Sequence, residues 1–247
     1  MLPNWIGVTT RREFFVDDLR FVTVTPPPAD AELFEWIDLL EAVTRARDVF
    51  TMLELGAGYG RWIVNAAAAL RAYSGLRHSL TAVEAEPTHF RWLELHCRDN
   101  DVDANLVQAA VAPTRGKVEF GVGRPASWYV QAIADGTWSP ESVVTVDAVA
   151  LSDLLEPLDR VDLIHCDMQG AEAAVFEEAA PVVDAKVQRV HVGTHGPDVE
   201  RRLRELFSSL GWANVNDYAC GTSAETPWGR IEFQDGVQTW LNPLALD

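Results

Sequence analysis

The residues with most chemical potential stand at the ends of apolar runs. In LELGAGYGRW (53–62), Glu54 precedes Gly56 by two positions, and Gly56, Gly58 and Gly60 alternate with Ala57 and Tyr59. Such glycines let the main chain turn tightly and approach a ligand, because no Cβ intervenes. A second acid, Glu84, closes SLTAVEA (79–85) beside Ala85, and Gln108 stands within NLVQAAVA (105–112). Farther on, VDLIHCDMQGAE (161–172) carries His165, Asp167 and Glu172, and VQRVHVGTH (187–195) carries His191 and His195. Imidazoles and carboxylates accept and return protons near neutral pH when their surroundings tune them. One group of residues is therefore suited to holding a nucleotide-like ligand, the other to proton transfer.

Elements at fixed places must carry these residues. VFTMLEL (49–55) reads as a strand, Arg61 to Arg71 as a helix, residues 79–85 as a second strand, and Pro87 to Asp99 as a helix opened by its proline. Residues 105–112 read as a third strand and 161–167 as a fourth. A helix over 171–179, a strand over 187–195 and a helix over 197–210 follow. Strands separated by such helices imply parallel pairing with right-handed crossovers. The expected fold is α/β, a Rossmann-like doubly wound sheet of about seven mostly parallel strands with helices on both faces. The last two strand-like segments suggest an antiparallel C-terminal edge. Ahead of this lies TPPPAD, a stiff connector, and then Leu33, Ile37, Leu40 and Val43 at helical spacing. Residues 1–48 thus read as a helical cap and 49–247 as the main domain. Residues 116–146 break the alternation as an insertion bearing Trp128, Tyr129 and Trp138.

In an open parallel sheet, ligands bind at the carboxyl ends of the strands near the point where strand order reverses. The glycine loop follows the first core strand and is placed there. A dinucleotide fingerprint would need a glycine where Arg61 stands, so a nicotinamide oxidoreductase is the weaker reading. Glu54 would repel a pyrophosphate but complement the ammonium and sulfonium charges of S-adenosylmethionine. Glu84 is placed to accept hydrogen bonds from both ribose hydroxyls. The expected cofactor contacts are Glu54, Gly56, Ala57, Gly58, Gly60, Glu84, Ala85, Gln108 and Asp167, and S-adenosylhomocysteine would be the product. For catalysis the candidates are Asp167, His195 as first choice of base, and His165, although a histidine inside an apolar run also serves as a core residue. Trp128, Tyr129, Glu172 and His191 are the candidate acceptor contacts. Glu172 could equally complement a helix dipole. Asp167, His195 and Glu172 could gather a divalent cation, but no short ligand motif supports one.

The charge balance narrows the partners. Against 20 basic residues stand 37 acidic ones, a formal −17, which repels nucleic acid and anionic membranes. Cys97, Cys166 and Cys220 are widely spaced and form no C-x-x-C pair, so disulfides and a cysteine zinc site are not expected. The amino terminus has early charges and no apolar signal core, and no apolar run reaches the roughly 20 residues of a membrane span. A cytoplasmic protein acting on a small molecule, either monomeric or a homodimer, is the expectation.

ELGAGYG (54–60), AVEAEP (82–87) and VVTVDAVALSDLL (143–155) ahead of VDLIHCDMQGAE resemble, in that order, the motifs of class I S-adenosylmethionine-dependent methyltransferases, and more narrowly the FkbM family. The resemblance spans about residues 50–180. It departs from the family at Gly58, where asparagine is common, and at His165 and Gln169, where lysine and glutamate are common. It implies O-methylation of a hydroxyl on a sugar or other small natural product. A catalytically silent cofactor-binding subunit is the alternative from another class.

Overall fold

A computed structural model describes residues 1–14, 26–122, 131–133 and 142–243. Two short strands, β1 (Leu2–Pro3) and β2 (Thr9–Thr10), precede helix α1 (Leu33–Arg45). The core alternation is β3 (Val49–Leu55), α2 (Arg61–Tyr73), β4 (Arg77–Glu84), α3 (Pro87–Asp99) and β5 (Asn105–Gln108). Next come β6 (Ala110–Val111), β7 (Gly116–Val122), β8 (Ser142–Val149) and α4 (Leu151–Leu155). The chain closes with β9 (Leu163–Cys166), α5 (Glu172–Lys186), β10 (Arg189–Thr194), α6 (Pro197–Ser209), β11 (Ala213–Tyr218), β12 (Thr222–Thr226), β13 (Gly229–Phe233) and β14 (Gly236–Leu241).

Seven strands form the main sheet in the order β11-β14-β10-β9-β3-β4-β5. The five strands from β10 to β5 are parallel, and β14 runs antiparallel between β10 and β11. This is the expected doubly wound sheet with its antiparallel C-terminal edge. Residues 105–112 differ from expectation: after Gln108 the chain leaves the main sheet, and β6 joins β8 and β7 in a separate three-stranded sheet. That small sheet buries Ala110 and Phe120 with Ala85.

The two faces of the main sheet have different chemistry. On one, Leu53, Leu55, Ile164, Cys166, Val190 and Val192 pack against Phe176 of α5 and Leu203 and Phe207 of α6, all buried. On the other, Phe50 and Met52 pack beneath α1, α2 and α3. Toward the strand ends that second face turns polar. Glu54 lies in register with His165, His165 with His191, and His191 with Thr239, a polar row across four strands.

Helix α1 covers this row. Its buried positions are Phe34, Trp36, Asp38, Leu39, Ala42 and Val43, whereas Leu33, Ile37 and Leu40 are only half-buried. The apolar stripe read from spacing is thus rotated, because the helix meets the sheet through acids. Asp38 takes Arg189, His191 Nδ1 at 2.6 Å and Thr239 Oγ1 at 2.5 Å, while Glu41 also pairs with Arg189. At the amino terminus, Arg11 holds Asp99 and Asn100 Oδ1 accepts from the Thr9 amide at 2.7 Å, tying β2 to the end of α3. Among the described residues no helix is long and apolar enough to cross a membrane.

Candidate active site

The chain runs outward through β3, β4 and β5 and returns to β9 on the other side of β3. The strand order reverses there, and the loops at those strand ends enclose a cleft with about 610 Å³ of open space. Gly56 and Gly58 form one wall, Glu84 and Ala85 the next, and Asp167, Met168 and Gln169 the floor opposite. Ala109, Ala110, Val111 and Phe120 supply an apolar side, with Gln131 and Ile133 from the insertion.

The glycine loop is obligatory here. Gly56 has φ +73°, and a Cβ on it would sit 1.8 Å from the carbonyl oxygen of Asp167, so the loops after β3 and β9 touch only because the side chain is absent. Glu84, at the end of β4, accepts from the Gly58 amide at 2.6 Å and the Glu86 amide at 2.7 Å. Burial pushes its carboxyl up to about 7 against the pull of those amides.

Asp167 follows β9, its amide donating to Leu55 O at 2.9 Å and its side chain partly exposed in the cleft. Gln169, held at φ +58°, donates from Nε2 to Asp167 Oδ1 at 3.2 Å and lies 2.8 Å from His195 Nε2. His195 Nε2 is 3.4 Å from Asp167 Oδ1, and its Nδ1 is 2.8 Å from Glu172 Oε1. The same Glu172 oxygen accepts from the Met168 and Gly170 amides at 3.1 and 3.0 Å, shaping the loop below Asp167. Burial raises the Asp167 carboxyl to about 6, partly offset by the His195 charge. Burial alone would lower His195, but the Glu172 hydrogen bond and the charges of Asp167, Glu172 and Asp235 outweigh it and raise the imidazole to about 9.

Residues 54–211 match the sequence profile of the methyltransferase FkbM domain. The chain belongs to the FkbM methyltransferase family. A curated protein of Jannaschia sp. (strain CCS1), which carries a provisional methyltransferase name, is 26% identical over 236 residues, covering 86% of this chain and 80% of that one. The solved methyltransferase FkbM of Methylobacillus flagellatus KT shares the fold with a TM-score of 0.50 at 11% identity. The match takes in 78% of this chain and 44% of that protein.

Within this FkbM fold the expected residues separate into two groups. Gly56, Gly58, Glu84, Ala85 and Asp167 meet around the cleft. Ala57 and Gly60 lie beside it: the Ala57 amide donates to Val83 O, and Gly60 packs on Leu93 at the start of α2. Glu54 does not face the cleft. It is buried, with its oxygens 3.0 and 2.8 Å from the amides of Trp62 and Ile63, so it caps α2, and burial pushes its carboxyl up to about 8. Gln108 is exposed on an outer groove, because the chain turns away from the main sheet immediately after it. His165 and His191 are buried beneath α1, bonded to Glu35 and Asp38, and neither lines the cleft. Glu172 is fully buried behind the loop and acts through His195 and the backbone. Its Oε1 is committed to His195 and the two amides, while its Oε2 is buried without a partner. Trp128, Tyr129 and Trp138 lie outside the described residues.

Sequence reasoning missed Gln169 and the apolar side formed by Ala109, Val111 and Phe120. The signal available for Gln169 was its place between Asp167 and Gly170. For Phe120 no local pattern existed, since its placement depends on β7 pairing with β8.

Proposed function

We propose that the cleft binds S-adenosylmethionine and that the protein methylates a hydroxyl on a sugar or other small natural-product acceptor. The residues present suit that cofactor. Glu84 would accept from the ribose hydroxyls, the Gly56–Gly58 main chain would lie along the methionine portion, and Ala109, Val111 and Phe120 would face the adenine. When bound, the cofactor supplies a methyl group on a sulfonium centre, already provided with a good leaving group.

The chain's own task is then alignment and proton removal. Holding reactants at near-attack distance is worth about 7–11 kcal/mol, and a positioned base adds about 10²–10⁴-fold. The observation that carries the reading is the placement of Asp167, a carboxylate lining the cleft whose main chain meets Gly56 of the glycine loop; its proton affinity, raised to about 6, suits a general base at neutral pH. Asp167 takes the acceptor's proton. His195, standing behind Gln169, is a positioning residue: its charge keeps Asp167 ionised, and Glu172 keeps its ring in place. A second reading makes His195 the base. With Glu172 on Nδ1, its Nε2 would become available once positive charge arriving beside Asp167 offset the attraction of the carboxylates.

Calorimetric titration with S-adenosylmethionine, S-adenosylhomocysteine and NAD tests the cofactor. Binding of the first two, weakened about tenfold to a hundredfold in Glu84→Ala, is expected from loss of hydrogen bonds to a charged group. Binding of NAD alone would overturn the reading. Acceptor screening then follows hydroxyl-bearing small molecules, scored by release of S-adenosylhomocysteine.

A further inference from the structure

Away from the cleft, beneath α1, three potential ligand groups converge that methyl transfer does not use. Glu35 of α1, His165 of β9 and His191 of β10 each offer one donor atom, and these atoms all lie within 4.8 Å of one another. Glu35 Oε2 is 3.0 Å from His165 Nε2. Tetrahedral zinc with bonds of about 2.0–2.1 Å sets its ligand atoms roughly 3.3 Å apart, so modest side-chain rotation closes the site.

His191 is already arranged as metal-binding histidines are. Its Nδ1 is held by Asp38 at 2.6 Å, which turns the Nε2 lone pair toward a ligand position, and Asp38 is itself anchored by Arg189 and Thr239.

The surrounding charge is acidic. Glu35, Asp38 and Glu41 face Arg189, and Arg45 lies 3.8 Å from Glu41, so neutral imidazoles leave one surplus negative charge that a bound cation would offset. The rings of His165 and His191 are stacked with centroids 5.3 Å apart and would repel each other if both were protonated. Two imidazoles with one carboxylate favour a first-row transition metal over magnesium.

We propose that Glu35, His165 and His191 bind a divalent transition metal ion of the zinc class, which fastens α1 to β9 and β10. The full chain, stripped with chelator and dialysed, is titrated with Zn²⁺ and Mg²⁺ by calorimetry and with Co²⁺ by visible absorption. Expected are one submicromolar Zn²⁺ site per chain, the absorption bands of Co²⁺ bound by nitrogen and oxygen, a higher melting temperature with Zn²⁺, and no response to Mg²⁺. Glu35→Gln, which keeps the side chain's shape at a partly exposed position, and His191→Gln each weaken Zn²⁺ by about tenfold or more. His195→Gln binds it as wild type does. Two results overturn the proposal: no zinc site in the folded wild-type chain, or a zinc site lost in His195→Gln and unchanged in Glu35→Gln.

Discussion

Asp167 and His195 are coupled through space, and their chemistry can be separated by changing one of them. His195 carries a positive charge across the neutral range and lowers the proton affinity of Asp167. Replacing it with glutamine removes that charge, so Asp167 holds its proton to higher pH. The acid limb of the kcat profile, expected near pH 6 in wild type, should therefore move upward in His195→Gln, with cofactor Kd unchanged. If His195 is instead the base, the same variant loses about 10²–10⁴-fold at every pH and the limb does not move. Because the two groups titrate together, the profile reports the pair. Glu84 shows how residue type alone can mislead: it and Glu54 are both acids at strand ends, yet one faces the cleft and the other caps a helix. The difference is in where each chain goes next. After Leu55 the glycine loop turns α2 so that its first free amides point back at Glu54.

Among the elements, α1 departs most from the usual apolar docking of a helix on a sheet. Asp38 is fully buried and satisfies Arg189, His191 and Thr239 at once. Removing one member of a buried charge network costs about 3–5 kcal/mol, because the others are left unpaired. Asp38→Ala should accordingly lower unfolding free energy by that order in urea melts. A change within about 0.5 kcal/mol would mean that α1 docks through its apolar residues alone. The helix contributes Phe34 to a cluster with Ile231, Phe233 and Val237, and Trp36 to an edge contact with Trp62 at 5.2 Å. Burial on several sides explains why the spacing of Leu33, Ile37 and Leu40 did not mark the buried face. Periodicity reports a single apolar side, and α1 has apolar neighbours on two flanks with acids between them.

Over the whole molecule, raised proton affinities dominate the response to alkaline pH. Glu54 and Glu84 are held up to about 8 and 7, so the folded chain keeps protons that the unfolded chain has already released. Stability from these groups is complete below their unfolded value near 4.5 and is lost progressively as pH rises to about 8 and 7. His195, raised to about 9, adds stability that is complete below its unfolded value and is also lost on raising the pH. The melting temperature should therefore fall from about pH 5 to pH 8 through Glu54 and Glu84 and on to about pH 9 through His195, by roughly 2–4 °C for each kcal/mol lost, and Glu54→Gln should flatten the part of the decline below pH 8. An unchanged slope in that variant would remove Glu54 as a cause. Much of this architecture was legible beforehand. The strand at Val49–Leu55, the helix at Pro87–Asp99 and the glycine loop between Glu54 and Arg61 follow from local periodicity, proline and glycine, whose effects are decided within a few residues. The order of motifs from Glu54 to Glu172 likewise identified the family. Tertiary structure alone decided which carboxylates face the cleft, why residues 105–112 split between two sheets, and how Gln169 came to join Asp167 to His195. It also brought Glu35 to His165 across 130 positions of sequence. Side-chain direction and long-range pairing depend on how whole elements pack, and neither leaves a periodic trace in the residues themselves.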